Sequence, residues 1–506
     1  MNRKTFIKTA GAGTVILASP MFLNDINNLL AQEISEIELY NIQRPMDVKL
    51  KIKAVYGQRI PNEVHEGPCR ADSPVGWNRN EEISQAKSSF NKWVESVKKN
   101  LCNKAVMLQP TYIQYAGDHR IDAKYWTNVE KDLKDTDLFL VYYRVPGIGR
   151  YNKPVALLGN TCASLDITAQ FRNKGLESYG LYDFEELNEL VALLQVRKAL
   201  QQTKMLIVTD GPWETEYNNV HSNIADLKEL NQRLGIDCQF ISFKEFFNEM
   251  DFVIKNKNTQ KFANTITDKL INNAQNVHMK KVDILSSVNY YLSVKKLMEK
   301  YNCNSFSATC QELCVAGYAA KYKITPCLTH TLLKDQGYPS SCEADTNVLV
   351  SMMLQMYLTN KSTFMGNTLI HNRDNNLLYM HHDVPSIKMK GFDKPDLPYE
   401  IRNFTENGWG ATVRYDFSLD KGEKVTFCRL NPAATKLLIV AGEMEGCYGF
   451  NKFGCSLGAT IKVKDVMEYF HNAVNFGHHF SLVYGDHLTE MQKLAEILNI
   501  ETVVVT

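Results

Sequence analysis

The sequence lacks an excess of charge of either sign: its 506 residues include 57 lysines and arginines and 56 aspartates and glutamates. The formal net charge of +1 argues against a polyanion-binding surface over the whole protein, so no nucleic-acid partner is predicted. No uninterrupted apolar run reaches the roughly 18 residues of a membrane span, so no membrane partner is predicted after export. Because 44% of the residues are hydrophobic and 22% are charged, the composition excludes a disordered chain.

Several motif classes are missing as well. The sequence has no P-loop and no internal repeat. Gly147-Ile148-Gly149 lacks the rest of a dinucleotide-binding fingerprint and predicts a turn. The cysteines from Cys303 to Cys342 form no C-x-x-C pair, which argues against a structural zinc site. Buried free thiols are the default expectation, although the even total of 12 cysteines permits disulfides in an exported protein.

Residues 1–33 are typical of an export signal. The basic residues 3–8, RKTFIK, precede an apolar stretch that ends near residue 23 and is too short for a stable membrane anchor. The basic segment resembles a twin-arginine signal with lysine in place of the second arginine. An ordinary Sec signal and a frayed amphipathic N-terminus are the alternatives. We therefore expect a periplasmic protein, with a cytoplasmic location as the alternative.

The remaining chain predicts three domains, at about 150 residues per domain. Strands and helices alternate through residues 45–165 and 166–345, a pattern typical of α/β domains with parallel sheets. Residues 346–506 differ, because a Met-rich helix is followed by short alternating strands. The predicted fold class is α/β: two parallel-sheet α/β domains followed by a β-rich, barrel-like α+β C-terminal domain.

Periodicity also predicts individual elements. The expected strands of the α/β domains cover residues 105–108, 138–143, 205–208, 238–242 and 304–309. The expected helices cover residues 83–99, 184–201, 225–234, 282–301 and 346–358. In the C-terminal domain we predict a hairpin of residues 411–417 with 424–430, joined by 437–442 as the third strand of an antiparallel meander. The chain should end as strand, helix and strand.

Four short stretches carry the side chains that bind metals. Two contain carboxylates beside predicted strand or helix ends, and two contain paired histidines; together they supply Glu312, Glu343, Asp345, His381, His382, His478 and His479. Carboxylates with imidazoles, and no organised set of thiolates, favour Mn²⁺, or Mg²⁺ or Co²⁺, over structural Zn²⁺.

Each stretch also has a simpler interpretation. Asp345 precedes a predicted helix and could only cap it, since carboxylates are common at helix N-termini. Glu312 follows an apolar run and could be a paired residue at a strand end. Paired histidines are often polar loop elements. The hypothesis of a metal site therefore depends on all four stretches meeting in space.

The region from about Val282 to the C-terminus, about 220 residues, resembles the L-fucose isomerase and L-arabinose isomerase superfamily. More specifically, it is similar to fucose-isomerase-like proteins that carry a fucose isomerase C-terminal domain. The matching segments follow the family's order: residues 310–312 (CQE), 342–345 (CEAD), 381–382 (HH), 422–429 (GEKVTFCR) and 477–479 (GHH).

The resemblance implies a ligand set for a catalytic Mn²⁺. Glu312 would be the first carboxylate ligand and Asp345 the second, with Glu343 as the competing choice. His479 would be the last ligand, with His478 adjacent to it. The family often has His-Cys at the middle position, so that position stays open between the two histidines 381 and 382.

The resemblance also implies a reaction. A metal-dependent aldose–ketose isomerase would convert a free monosaccharide through a cis-enediol, with Glu312 and Asp345 as the acid–base pair. Trp409, Tyr379 and Arg429 could line the sugar pocket, or could have core or surface roles. A homo-oligomer, trimer or hexamer, is expected. The alternatives are an aldolase or epimerase on the same fold and an exported carbohydrate-binding protein without turnover.

Overall fold

The first sheet follows the predicted alternation of strand and helix. The computed structural model describes residues 40–62, 77–116, 120–211, 213, 220–224 and 226–506, so the predicted export signal lies outside the described residues. The strands of this sheet run in the order β2-β1-β4-β5-β6, β3 also pairs with β1, and every pairing is parallel. The strands are β1 Leu50–Arg59, β2 Ala105–Met107, β3 Thr111–Tyr115, β4 Leu138–Tyr142, β5 Val155–Leu158 and β6 Ser178–Leu181.

The helices around this sheet begin at residues that satisfy their free N–H groups. They are α1 Arg79–Asn100, α2 Ala123–Glu130, α3 Cys162–Asn173 and α4 Phe184–Gln201. Asp183 caps α4, because its side chain accepts hydrogen bonds from the backbone N–H groups of Glu185 and Glu186. The predicted turn at Gly147 is confirmed: its φ of 86° is left-handed, which glycine adopts without a steric cost.

The second sheet positions the candidate site. It has four parallel strands in the order β11-β10-β7-β8: β7 Lys204–Val208, β8 Asp237–Ile241, β10 Ser305–Ala308 and β11 Ser340–Cys342. The carboxyl ends of parallel strands meet at one edge, where open α/β sheets bind their ligands. Glu312 follows β10 and Glu343 follows β11, so both carboxylates leave the sheet at this edge.

Helices connect and cover the strands of the second sheet. They are α5 Leu227–Leu234, α6 Phe243–Lys255, α7 Lys257–Asn273, α8 Lys281–Lys300, α9 Cys310–Val315, α10 Tyr318–Tyr322 and α11 Cys327–Asp335. Helix α5 ends at Gly235, which has a φ of 75° and is the predicted C-cap.

The C-terminal region contains a closed antiparallel barrel. Its six strands follow one another in the ring β16-β19-β12-β13-β18-β17, and β17 pairs back to β16. The strands are β12 Phe364–Asn372, β13 Leu377–His381, β16 Lys424–Leu430, β17 Lys436–Tyr448, β18 Gly458–Lys462 and β19 His479–Tyr484. The final strand β20, Glu501–Val505, pairs with β17 in parallel and lies outside the ring. The predicted fold class is therefore confirmed.

One predicted pairing in this region is wrong. The strand β15, Ala411–Arg414, does not form a hairpin with β16 but pairs with β14, Glu400–Asn403, in a separate sheet completed by β9, Asn276–Val277. The chain does not continue from β15 as a strand, because the side chain of Asp416 accepts a hydrogen bond from the N–H of Ser418 and begins a short 3-10 helix. The partner of β16 is instead β17, so the second half of the predicted meander holds.

Three helices complete the C-terminal region: α12 Thr346–Thr359, α13 Val466–Ala473 and α14 Leu488–Ile497. The Met-rich α12 is buried on every side, and its core cluster combines Met205 of the second sheet with Met353 of the helix and Ile439 of the barrel. Because α12 packs against both, its N-terminus and Asp345 lie where sheet edge and barrel meet. Helix α14 and β20 confirm the predicted ending.

Within the described residues, no helix is both long and apolar enough to cross a bilayer. Residues 42–506 pack together as one compact unit. The predicted domain boundary near residue 165 falls inside α3, and the boundary near residue 345 falls at the cap of α12. The division into domains stays a prediction.

Candidate active site

Glu343 leaves β11 in a strained backbone conformation. Its φ is 61° and that of Ala344 is 51°, and left-handed values are uncommon for residues other than glycine. Ala344 is fixed in place, because its N–H donates to the carbonyl of Ala308 (3.0 Å) and its carbonyl accepts from Nδ2 of Asn223 (2.8 Å). Strain of this kind concentrates at functional sites, where the surrounding structure must enforce it.

Two buried histidines face the Glu343 carboxylate. Nε2 of His382 lies 3.4 Å from Oε1 of Glu343, and Nε2 of His479 lies 3.9 Å from Oε2. Both imidazoles are 0% exposed. Within the part of the chain that the structure describes, three ring nitrogens have no hydrogen-bond partner: both nitrogens of His382, and Nε2 of His479. Buried polar nitrogens without a partner are costly, so their convergence on one carboxylate is typical of a ligand set.

The possible ligand atoms form two overlapping groups. One group holds Cys342, Glu343 and His382, and the other holds Glu343, His478 and His479, with all ligand atoms of a group within 4.8 Å of one another. Glu343 belongs to both groups. A carboxylate with buried imidazoles fits a divalent cation, and His478, which is exposed, places one possible ligand at the solvent side.

Asp345 lies behind His479 instead of joining these groups. Its Oδ2 accepts hydrogen bonds from Nδ1 of His479 (2.9 Å) and from Nη1 of Arg429 (2.8 Å). Its Oδ1 caps α12 by accepting from the N–H of Val348 (3.0 Å). Because the carboxylate accepts from Nδ1, the hydrogen on that nitrogen points to Asp345, and Nε2 is the nitrogen on the side of Glu343.

Arg429 holds this arrangement together. It is 0% exposed, and its guanidinium also donates to the carbonyls of Phe476 (2.6 Å) and His479 (2.8 Å). Burial by itself would raise the pKa of Asp345, but the Arg429 charge and the His479 hydrogen bond hold that pKa well below its usual range. The pair is therefore a buried ion pair that fixes the histidine.

Burial alone would likewise raise the pKa of Glu343. The contact with His382 and the nearby His479 outweigh burial and lower the pKa to about 2. The carboxylate is thus negatively charged at neutral pH, as a cation ligand must be.

Glu312 occupies a separate position on the same sheet edge. Its carboxylate accepts hydrogen bonds from Oγ1 of Thr309 (2.7 Å), the N–H of Asp210 (2.8 Å) and Oγ1 of Thr209 (3.1 Å). These donors follow β10 and β7, the neighbouring strands. The structure therefore orients Glu312 through hydrogen bonds and does not place it in either group of possible metal ligands.

His381 is also outside both groups. Its Nδ1 donates to the carbonyl of Cys455 (2.8 Å), and its ring stacks on Tyr379 with centroids 4.8 Å apart. The structure therefore separates the two adjacent histidines: His382 faces Glu343, and His381 contacts Cys455 and Tyr379 instead. Among the residues suggested for a sugar pocket, Tyr379 donates to the carbonyl of Ser456 (2.6 Å).

Sequence reasoning gave two residues less weight than their positions warrant. Cys342 was treated as a possible buried thiol, yet its sulfur lies in a group with Glu343 and His382. For Arg429 the sequence left a pocket role and a core or surface role open, and the structure buries it in an ion pair with Asp345. The position of Cys342 directly before Glu343 was the sequence signal that could have pointed to a ligand role for its sulfur. No local signal links Arg429 to a carboxylate 84 positions earlier.

The candidate site lies at the edge of the second sheet, beside the barrel. No family model matches the sequence. Curated relatives include proteins that are named sulfoquinovose isomerase. The relative from Clostridium sp. (strain MSTE9) is 25% identical over 195 residues, which cover 37% of this chain and 42% of that protein.

Two further relatives with the same name come from Priestia megaterium (strain ATCC 12872 / QMB1551) and Priestia aryabhattai. Each is 21% identical over 323 residues, which cover 63% of this chain and 68% of the relative. This chain is therefore similar to proteins named as sugar isomerases, and the predicted enzyme class, a sugar isomerase, is confirmed. The specific superfamily stays a prediction.

Proposed function

We propose that this protein is a metal-dependent aldose–ketose isomerase that acts on a free monosaccharide through a cis-enediol. One observation carries the proposal: the unpaired, buried Nε2 atoms of His382 and His479 converge on the Glu343 carboxylate. The names of the relatives support the reaction class and suggest sulfoquinovose as the first sugar to test.

The cation would be held by Glu343, His382 and His479, with His478 at the exposed side. We propose Mn²⁺, with Mg²⁺ or Co²⁺ as alternatives, because the set combines carboxylate with imidazole. When bound, such a cation acts as a Lewis acid that polarises the carbonyl and hydroxyl oxygens on neighbouring sugar carbons.

Glu312 is the residue best placed to move a proton. Its carboxylate is held by Thr209 and Thr309 at the end of β10, the strand that neighbours β11 and Glu343, and the residue is half-buried. A carboxylate held in this way can take a proton from one carbon of the sugar and return it to the neighbouring carbon. Its three donors keep it oriented while the proton moves.

The contacts of Asp345 favour a different role from the predicted acid–base one. Both of its oxygens are engaged, by Val348 on one side and by Arg429 and His479 on the other, and the side chain is 0% exposed. We propose that Asp345 is a positioning residue that fixes the tautomer and orientation of His479. The acid–base role for Asp345 stays a prediction from the sequence.

The test is Glu312→Gln, assayed with sulfoquinovose and a panel of aldoses in ²H₂O with Mn²⁺ or with a chelator. We expect the wild-type protein to produce ketose that carries deuterium at C1, and to place deuterium at C2 of the aldose that re-forms by the reverse reaction. The variant should lose turnover by about 10²–10⁴-fold while it still binds Mn²⁺. Glu496→Gln, at an exposed position on α14, is the matched control and should behave as wild type.

Two results would contradict the proposal. Wild-type protein that binds sugars without any turnover would indicate a carbohydrate-binding protein. Turnover that does not need a divalent cation, or that cleaves or epimerises the sugar, would indicate the aldolase or epimerase alternative.

We also propose that the mature protein is a periplasmic homo-oligomer, trimer or hexamer. The location rests on the signal-like residues 1–33, and the assembly rests on the sequence resemblance alone. Cell fractionation and light scattering test the two statements separately.

A further inference from the structure

Cys342 is a buried thiol at an unusual place. It is the last residue of β11, is 1% exposed, and immediately precedes Glu343. Its sulfur, a carboxylate oxygen of Glu343 and a ring nitrogen of His382 lie within 4.8 Å of one another. His382 has neither ring nitrogen hydrogen-bonded to any residue in the described ranges, although the ring is 0% exposed. A thiol and an imidazole are thus buried together beside a charged carboxylate.

Among the described residues, the other buried cysteines are Cys303, Cys327 and Cys428, and none of them belongs to such a group. Cys428 lies in the core between α12 and the barrel, where its sulfur faces the carbonyl of Ser351 at 3.9 Å. It belongs to neither group of possible metal ligands. Burial of a thiol therefore does not by itself create such a group, and Cys428 offers a matched comparison for Cys342.

The two oxygens of Glu343 divide the centre into two sides. Oε1 is the oxygen near His382, at 3.4 Å, and Oε2 is the oxygen near His479, at 3.9 Å. The centroids of the two imidazole rings are 5.5 Å apart. Glu343 can therefore supply one oxygen to a cation on the Cys342–His382 side and the other to a cation on the His478–His479 side.

We propose that Cys342, Glu343 and His382 form a sulfur-containing subsite that binds a thiophilic divalent cation, such as Zn²⁺, Co²⁺ or Cd²⁺. The ligand chemistry gives the reason: thiolate sulfur selects softer cations, whereas carboxylate with imidazole alone also suits Mn²⁺ and Mg²⁺. Binding replaces the S–H bond by a bond from sulfur to the cation and releases the proton to water. The subsite shares Glu343 and His382 with the proposed isomerase centre, so it rests in part on that proposal, but it does not depend on sugar turnover.

The first test is a titration of metal-free protein with Co²⁺, followed by absorption spectroscopy. A cysteine ligand gives an intense near-ultraviolet charge-transfer band from sulfur to Co²⁺, which oxygen and nitrogen ligands do not give. We expect this band in the wild-type protein and in Cys428→Ser, and its loss in Cys342→Ser. Bound Co²⁺ without the band in the wild-type protein would overturn the proposal.

The second test needs no variant, so it does not depend on whether Cys342→Ser folds. X-ray absorption at the zinc edge of the wild-type protein loaded with one equivalent of Zn²⁺ should show one sulfur neighbour at about 2.3 Å. A shell of only nitrogen and oxygen at about 2.0–2.2 Å would refute a cysteine ligand. Because both readouts are spectroscopic, a protein that lacks isomerase activity could still confirm the subsite, and an active isomerase could still refute it.

Discussion

Nδ1 of His479 lies 2.9 Å from Oδ2 of Asp345, and this contact decides which nitrogen of the histidine faces Glu343. The same carboxylate oxygen accepts from Arg429 at 2.8 Å, so the three side chains form a buried Arg–Asp–His chain. A carboxylate behind a ligand histidine raises its basicity and fixes its ring orientation. Asp345 can therefore be essential to a metal centre without being one of its ligands.

Replacing this carboxylate tests the relationship. Asp345→Asn replaces the carboxylate by a neutral amide. The side chain therefore loses the negative charge that pairs with Arg429 and that strengthens the hydrogen bond from His479. We expect the affinity for Mn²⁺ to fall by about 10–100-fold. Unfolding should become easier by about 3–5 kcal/mol, because Arg429 loses its buried partner. Calorimetric titration with Mn²⁺ and chemical denaturation measure the two effects.

The matched comparison is Glu312→Gln, which should keep the Mn²⁺ affinity within a few-fold of wild type. If Asp345→Asn binds Mn²⁺ as tightly as wild type but has lost turnover, the positioning role is wrong. The acid–base role predicted from the sequence would then be favoured.

A glycine lies against the carboxylate of Glu312. A Cβ atom at Gly211 would lie 2.8 Å from Oε1 of Glu312, closer than van der Waals contact allows. Gly211→Ala should therefore push the carboxylate away from Thr209 and lower kcat by about 10–100-fold, since small misplacements of a catalytic group are costly. Thermal stability and Mn²⁺ affinity should change little, and steady-state kinetics with differential scanning fluorimetry provide the measurements.

Gly446→Ala is the control for this prediction, because no atom of the described residues, its two chain neighbours apart, lies within 4 Å of the added methyl group. It should keep the wild-type kcat. An unchanged kcat in Gly211→Ala would show that the orientation of Glu312 does not limit the reaction.

The sequence predicted elements whose signals are local. Helix α4 was predicted at its observed bounds, because its apolar spacing is regular through to Gln201. The end of α5 was predicted from Gly235, which has the left-handed φ of a C-cap. The barrel strands that pair over long distances were harder: β15 alternates like a barrel strand, but its partner β14 could not be identified from alternation alone.

The candidate site could likewise be predicted only where the signal is local in the sequence. The sequence identified Glu343, His382 and His479 as possible ligands, and these three face one another. The role of Asp345 could not be read from its motif, since capping of α12 and ligation both fit the residue before a helix. What distinguishes them is the ion pair with Arg429, which exists only after the barrel has closed.

A second buried ion pair supports the loop beside the site. Nη2 of Arg414 lies 2.6 Å from Oδ2 of Asp383, both side chains are 0% exposed, and the guanidinium also donates to the carbonyls of Gly449 (2.9 Å) and Phe450 (2.8 Å). Arg414→Lys keeps the charge but loses the planar set of donors. We expect a loss of about 1–3 kcal/mol in unfolding free energy, because buried carbonyls lose their donors, and faster proteolysis within residues 449–456.

Arg402→Lys makes the same exchange in a partly exposed pair with Glu400, where the effect should be about 1 kcal/mol or less. Chemical denaturation and limited proteolysis measure both variants. Equal losses in the two variants would mean that the Arg414 contacts with the loop add nothing.

The last prediction concerns pH and a carboxylate outside the site. Oδ1 of Asp335 accepts from the N–H groups of Ile387 (2.9 Å) and Lys388 (3.2 Å), and burial raises the pKa of Asp335 to about 7. The unfolded value is about 3.9, so the folded protein binds more protons than the unfolded chain between about pH 4 and pH 7. This contribution to stability is complete below about pH 4 and is lost as pH rises through 7.

Asp335→Asn removes that titration. The unfolding free energy of the wild type minus that of the variant should therefore fall as pH rises from 5 to 7, by an amount on the order of 1–4 kcal/mol, and level off above pH 8. The neighbouring Lys334, whose pKa burial lowers to about 7, is present in both proteins, so its opposite trend above pH 7 largely cancels in the difference. Asp166→Asn, on an exposed part of α3, is the control and should give a flat difference. Denaturation curves at each pH measure the effect, and a difference that stays flat between pH 5 and 7 would show that Asp335 is already charged in the folded protein.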